Sequence, residues 1–226
     1  MIHTSKSLIV TALMLGWVTA PASANLLNNG GFDDYGPQGT TGPIDDWTGG
    51  SGKYNGTTHI LFGGPGYAYG GDNYGTVDAF LFGLQTTGTS IVASQSVAAA
   101  AGPVSLTGAI AGGTTLSLND PLSTDHFVSI EDGGSLSETY VLSANLDGGT
   151  NWEPFALNGV TDGSGVTVTW GYVFTQDVDF FGEPFGPNAG ILTTHVDELV
   201  LVPEPTTLTL AVLGGLALIR RRTRRG

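Results

Sequence analysis

The chain has no cysteine. That excludes disulfides and thiolate metal sites, so stability must come from the core or from a bound ion. Basic residues are nearly as scarce. Of the seven, Lys6 lies near the start, Arg220, Arg221, Arg222, Arg224 and Arg225 lie at the end, and only Lys53 stands between Asn25 and Val202. Nineteen of the twenty acidic residues fall in that interval, Glu204 being outside it, so nineteen acids against one lysine give a formal charge of −18. Such a stretch offers no basic footprint for phosphate, which excludes nucleic acid as a partner. It is also repelled by anionic membrane surfaces. Its carboxylates repel one another, and Ca²⁺ or another counterion would relieve that. Helical periodicity and internal repeats are missing too. So are the GxSxG elbow, the HExxH pair, the Walker loop and the EF-hand spacing.

What remains is glycine, 36 residues of it, with many Thr, Ser, Asn and Asp. Gly and Asn/Asp tolerate the positive φ that tight turns need, so this composition predicts short strands joined by turns. The clearest strand is Val166 to Phe174, where Val166, Val168, Trp170, Tyr172 and Phe174 alternate with Thr167, Thr169 and Gly171. "LSETYVLSA" from Leu136, "VSLTGAI", "TLSL", "HFVSI", "TVDAFLF" and "IVASQSV" read as further short strands. Eight or more such segments predict an all-β fold, a β-sandwich. Ala98 to Ala101 could form a helical turn, stopped by Gly102-Pro103.

The two ends read differently. Lys6, an apolar run from Leu8 to Val18, Pro21 and the small-x-small triplet Ala22-Ser23-Ala24 predict a secretory signal peptide over 1–24, cleaved before Asn25. At the other end, Thr206 to Ile219 is apolar apart from threonine and glycine. As a helix it would rise roughly 21 Å against a hydrocarbon core of about 30 Å, short for a permanent span. Pro203 and Pro205 stop that helix from growing backwards, and the five arginines act as a stop-transfer signal that leaves the body outside.

Val202-Pro203-Glu204-Pro205, then a short apolar helix, then an Arg cluster, resembles the PEP-CTERM sorting signal of Gram-negative bacteria. The resemblance covers Val202 to Arg225 and assigns Pro203, Glu204 and Pro205 as the recognition residues of an exosortase. It implies export through the Sec translocon, a transient inner-membrane anchor and release to the cell surface or medium. The domains expected are thus the signal peptide (1–24), the ectodomain (25–202) and the sorting signal (203–226).

The start of the ectodomain, Asn29-Gly30-Gly31-Phe32-Asp33 followed by Trp47, resembles the opening of galactose-binding-like jelly rolls, several carbohydrate-binding modules among them. "ILTTHVDELVLV" resembles their last strand. The resemblance implies that the two meet as neighbours. It also implies a structural calcium between Asp33 and Asp197, with Asp34 or Glu198 beside them. As a set of residues, Asp33 and Asp34 read equally as a polar turn.

Two further groups stand out. "FGGPGYAYGGDNYG" places Tyr67, Tyr69 and Tyr74 beside Asp72 and Asn73, and "DGGTNWEPF" adds Trp152. Exposed aromatic rings stack on the C–H faces of sugars while Asp and Asn bond to hydroxyls; the alternative is that these rings pack beneath their own loops. Trp47 and Trp170 read as core. Asp177, Asp179 and Glu183 form an acidic cluster of the kind glycoside hydrolysis uses, but acids are dense throughout, and the expectation is a non-enzyme. His59, His126 and His195 lack metal-ligand spacing. The leading reading is non-catalytic association with extracellular polysaccharide, as in a biofilm. The alternatives are a structural or adhesive Ca²⁺-binding surface protein and a secreted glycan-active hydrolase.

Overall fold

The structure, a computed structural model, describes residues 24–32, 44–54, 68–70, 73–81, 83–114, 124–142, 152–180 and 190–204. The chain divides into two units, Asn25–Thr206 and Met1–Ala24 with Thr207–Gly226. Only the first is described below. The expected signal peptide, the apolar C-terminal helix and the "TLSL" strand lie outside the described residues.

Eleven strands and no helix occur among the described residues: β1 (Ser51–Tyr54), β2 (Asn73–Leu81), β3 (Gly83–Gln85), β4 (Ser90–Val97), β5 (Gly102–Thr114), β6 (Thr124–Glu131), β7 (Ser137–Val141), β8 (Glu153–Thr161), β9 (Val166–Phe174), β10 (Val178–Phe180) and β11 (Gly190–Pro203). They form a five-stranded sheet, β1-β2-β11-β5-β8, a four-stranded sheet, β4-β9-β6-β7, and the small pair β10-β3. Every named pairing is antiparallel. The fold is the expected all-β sandwich. Ala98–Ala101 forms no helical turn and links β4 to β5. β8 is a strand that the sequence reading passed over.

Alternation decides which side chains meet between the sheets. β9 sends in Val166, Val168, Trp170, Tyr172 and Phe174, all nearly fully buried. Val104, Leu106 and Ile110 of β5 and Val196, Leu199 and Leu201 of β11 face them from the larger sheet. Phe32, Trp47 and Trp170 form an aromatic triad with centroids 5.6, 6.0 and 6.1 Å apart, each in a tilted or edge-to-face arrangement. Such pairings add to the area buried by the rings themselves. The expectation that Trp47 and Trp170 belong to the core holds. His126 of β6 also lies in this layer, 2% exposed, with its Nδ1 2.7 Å from Thr194 Oγ1.

The first ectodomain residues are laced to the last strand. The Leu26 amide donates to Leu201 O, and Leu199 N donates to Gly30 O. Asn25 Nδ2 donates to Leu199 O at 3.0 Å, while its Oδ1 accepts from Leu201 N at 2.9 Å. Gly30 is required here, because a Cβ would stand 2.1 Å from Leu199 O. Gln95 ties the same segment to the loop before Trp47, bonding Asn28 through both amide groups and Asp46 O through Nε2.

β11 carries one irregularity. Asp197 pairs with Ala109 and Val200 with Thr107, so three steps on β11 match two on β5. This is a β-bulge, and Glu198 sits in it with φ 52°. Strict alternation from Val196 would have driven Glu198 into the core. The extra residue resets the parity, so Glu198 is exposed and Leu199 and Leu201 point inward.

Candidate functional site: an aromatic surface on the five-stranded sheet

The other face of β11 carries Thr193, His195 and Asp197, all at most 1% exposed. Their partners across β5 on the same face are small, Ala111 opposite His195 and Ala109 opposite Asp197. Thr76 of β2 completes a polar floor. Thr76 Oγ1 and Thr193 Oγ1 are 3.3 Å apart, and Thr193 Oγ1 is 3.1 Å from His195 Nε2.

Aromatic rings cover this floor. The Tyr74 ring meets the His195 ring edge-on at 5.3 Å. Trp152 lies 5.9 Å from Tyr74 and 6.4 Å from His195. Tyr69 packs on Trp152 at 6.2 Å and is 49% exposed, whereas Trp152 is partly buried. The arrangement is layered: a buried polar floor, a buried Tyr74, and an accessible Tyr69–Trp152 pair above.

Asp197 fastens the upper layer. Its Oδ2 accepts the Tyr69 amide at 2.8 Å and the Gly70 amide at 2.9 Å, and its Oδ1 accepts the Glu198 amide at 2.7 Å. Burial pushes its pKa up to about 7, against these amide bonds, which pull it down; the neighbouring Glu198 charge raises it further. Gly70 packs against the Glu198 side chain, which would have to swing aside for a Cβ at that position.

The sequence-predicted residues divide as follows. Tyr69 and Trp152 come together at the surface. Tyr74, expected to present its ring, is only 1% exposed; the β2 alternation that buries Thr76 buries it as well, so it supports Trp152 from below. Asn73 opens β2 opposite Tyr54. Tyr67 and Asp72 lie outside the described residues. His195, set aside by spacing, belongs to the cluster together with Thr76 and Thr193. The i, i+2, i+4 alternation of Thr193, His195 and Asp197 was the available signal.

For calcium, Asp33 and Asp34 lie outside the described residues, and no three metal-binding side chains converge among the described ones. Calcium takes six to eight oxygen ligands, and three amides already occupy three of the roughly four lone-pair directions of the Asp197 carboxylate, which leaves one on Oδ1 for an ion. In the acidic cluster, Asp177 Oδ1 accepts from Thr87 N at 2.7 Å and Thr87 Oγ1 at 2.9 Å, bonds that lower its pKa and tie it to a turn. Asp179 is in β10, and Glu183 is outside the described residues.

The sorting residues continue β11. Pro203 pairs with Val104, and Glu204, exposed, donates its amide to Pro103 O at 2.9 Å. Pro205 and Arg220, Arg221, Arg222, Arg224 and Arg225 lie outside the described residues.

Comparison with solved structures finds distant similarities over most of the chain. The chain is similar to TmCBM61, solved with β-1,4-galactotriose, at 16% identity and a TM-score of 0.49, covering 80% of this chain and all of that one. It is similar to the CBM22-1–CBM22-2 tandem of Paenibacillus barcinonensis Xyn10C at 14% identity and TM-score 0.38, covering 83% and 48%. The tailspike protein 4 domain of bacteriophage CBA120 follows at 13% and TM-score 0.38, covering 79% and 21%. No curated protein matches the chain in sequence.

The C-terminal residues are more specific: 201–225 match the PEP-CTERM protein-sorting motif. The motif marks an exported protein sorted by an exosortase.

Proposed function

We propose that the ectodomain binds extracellular polysaccharide without cleaving it, through the Tyr69–Trp152 surface. Export runs through the Sec translocon after the 1–24 signal peptide. The C-terminal segment anchors the chain transiently in the inner membrane of a Gram-negative cell, and exosortase processing delivers it to the surface or matrix. The observation that carries the binding reading is the layered cluster itself. A half-exposed tyrosine and a partly exposed tryptophan stand over a buried floor that holds them in place. Aromatic pairs held this way offer flat apolar faces at little entropic cost, which suits the C–H faces of sugar rings.

The test is a glycan array probed with the exported protein, the host's own polymer included. Binding that disappears in Tyr69→Ala and Trp152→Ala, with unchanged thermal unfolding, supports the reading. No binding to any glycan, or hydrolysis of one, refutes it.

The second reading is a structural or adhesive protein in which Ca²⁺ joins Asp197 to Asp33. It is favoured by a buried carboxylate on a strongly acidic body. A rise in melting temperature with Ca²⁺ that Asp197→Asn abolishes assigns the ion; no rise leaves the fold metal-free.

A further inference from the structure

The segment that carries Tyr69 is joined to the sheet at a polar point that is not on an aromatic residue. Tyr69 and Gly70 donate two consecutive amides to a single oxygen of Asp197. The other oxygen is held by the Glu198 amide, so the carboxylate cannot rotate without breaking a bond. The bulge at Glu198 holds the strand in this local shape. Gly70 lies against the exposed Glu198 side chain, so the segment rests on the strand at the bulge itself.

We propose that Asp197 is a positioning residue: it latches the Tyr69–Gly70 segment to β11 and so sets the Tyr69 ring against Trp152. The part concerning ligand rests on the carbohydrate reading above; the latch itself does not. Two amides on one carboxylate oxygen fix both the height and the direction of the segment. Without them Tyr69 loses its tie to β11, and the tryptophan loses its cover on that side. Asp197 touches no sugar in this account. It acts through Tyr69.

Trp152 supplies a readout that needs no ligand. Trp47 and Trp170 are 8% and 0% exposed, so a change in acrylamide quenching of tryptophan fluorescence between parent and variant reports on Trp152. The exported protein would be compared with Asp197→Asn and with Gly70→Pro. The asparagine keeps one oxygen for Tyr69 and Gly70 but turns an N–H toward the Glu198 amide. The proline removes the Gly70 amide hydrogen that Asp197 Oδ2 accepts and leaves the carboxylate intact. Both should raise quenching, and adding Trp152→Phe to either should remove the rise. Far-UV circular dichroism and a cooperative melt verify the fold.

Folded variants with parental quenching would overturn the latch. So would failure of both to fold, since Asp197 would then be holding the sheet and not a surface segment. If one fails, the other decides. If quenching rises but the parent binds no glycan, the latch stands and the carbohydrate reading falls. If the parent binds, both variants should lose affinity in step with the rise in quenching.

Discussion

Lowering the pH should expose an opposition between two buried groups. His126 is buried between the sheets, bonded through Nδ1 to Thr194 Oγ1, and its Nε2 has no partner among the described residues. Burial lowers its pKa from 6.5 to about 4. In the unfolded chain the imidazole takes up a proton near pH 6.5, and in the folded chain only near 4, so stability falls as pH drops through that window. Two and a half units correspond to a loss of about 3 kcal/mol at pH 4 and below. Asp197 works the other way. Its folded pKa of about 7 stands above the ordinary 3.8, so stability falls as pH rises from 4 to 7, by about 4 kcal/mol in full. The two slopes nearly cancel, and the parent should show a flat stability between about pH 4 and 6.5. His126→Gln should uncover the falling limb, becoming relatively more stable toward acid. Asp197→Asn should uncover the rising limb. Urea unfolding at half-unit steps from pH 4 to 7.5 measures both, with the His126 Hε1 resonance followed by NMR as an independent titration. A difference between parent and His126→Gln that does not change across that window would refute the buried neutral histidine.

Other outcomes follow from packing. Tyr74→Ala should cost about 3–5 kcal/mol, because a fully buried ring is removed. Tyr69→Ala should cost under about 1 kcal/mol, since that ring is half exposed, while abolishing any glycan binding. Glu198→Gly should be neutral or stabilising by up to about 1 kcal/mol, as glycine adopts its φ of 52° freely, whereas Glu198→Val should destabilise by about 1–3 kcal/mol; chemical denaturation measures each. The intact mass of exported protein should match a start at Asn25 and an end near Pro203–Pro205; a mass that keeps Arg220 to Arg225 would overturn exosortase processing.

Much of the sandwich was legible in the sequence because burial on one face imposes a period of two, as in Val166 to Phe174. β8 was passed over since Pro154, Ala156 and Asn158 dilute its strand character, although Phe155, Leu157 and Thr161 do point inward. The site was legible only in part. Asp197 stood out by resemblance, and Tyr69 and Trp152 by type. The partners of Asp197 are backbone amides, which any residue carries, so no side-chain pattern could have announced them. Tyr74 was misjudged because a tyrosine in a glycine-rich stretch looks like loop; the strand that begins at Asn73 fixes its direction.

β11 also has a mechanical meaning. Whatever holds the chain beyond Glu204 pulls on this strand, which lies between β2 and β5 and is stitched near its exit by Asn25 and Leu26. Ladder bonds run perpendicular to the strands, so tension along β11 loads them side by side and not in sequence. Its neighbours are antiparallel on both sides, so the force is shared across two ladders at once. A body suspended from its last strand in this way resists shear best in the direction in which a surface tether would pull it.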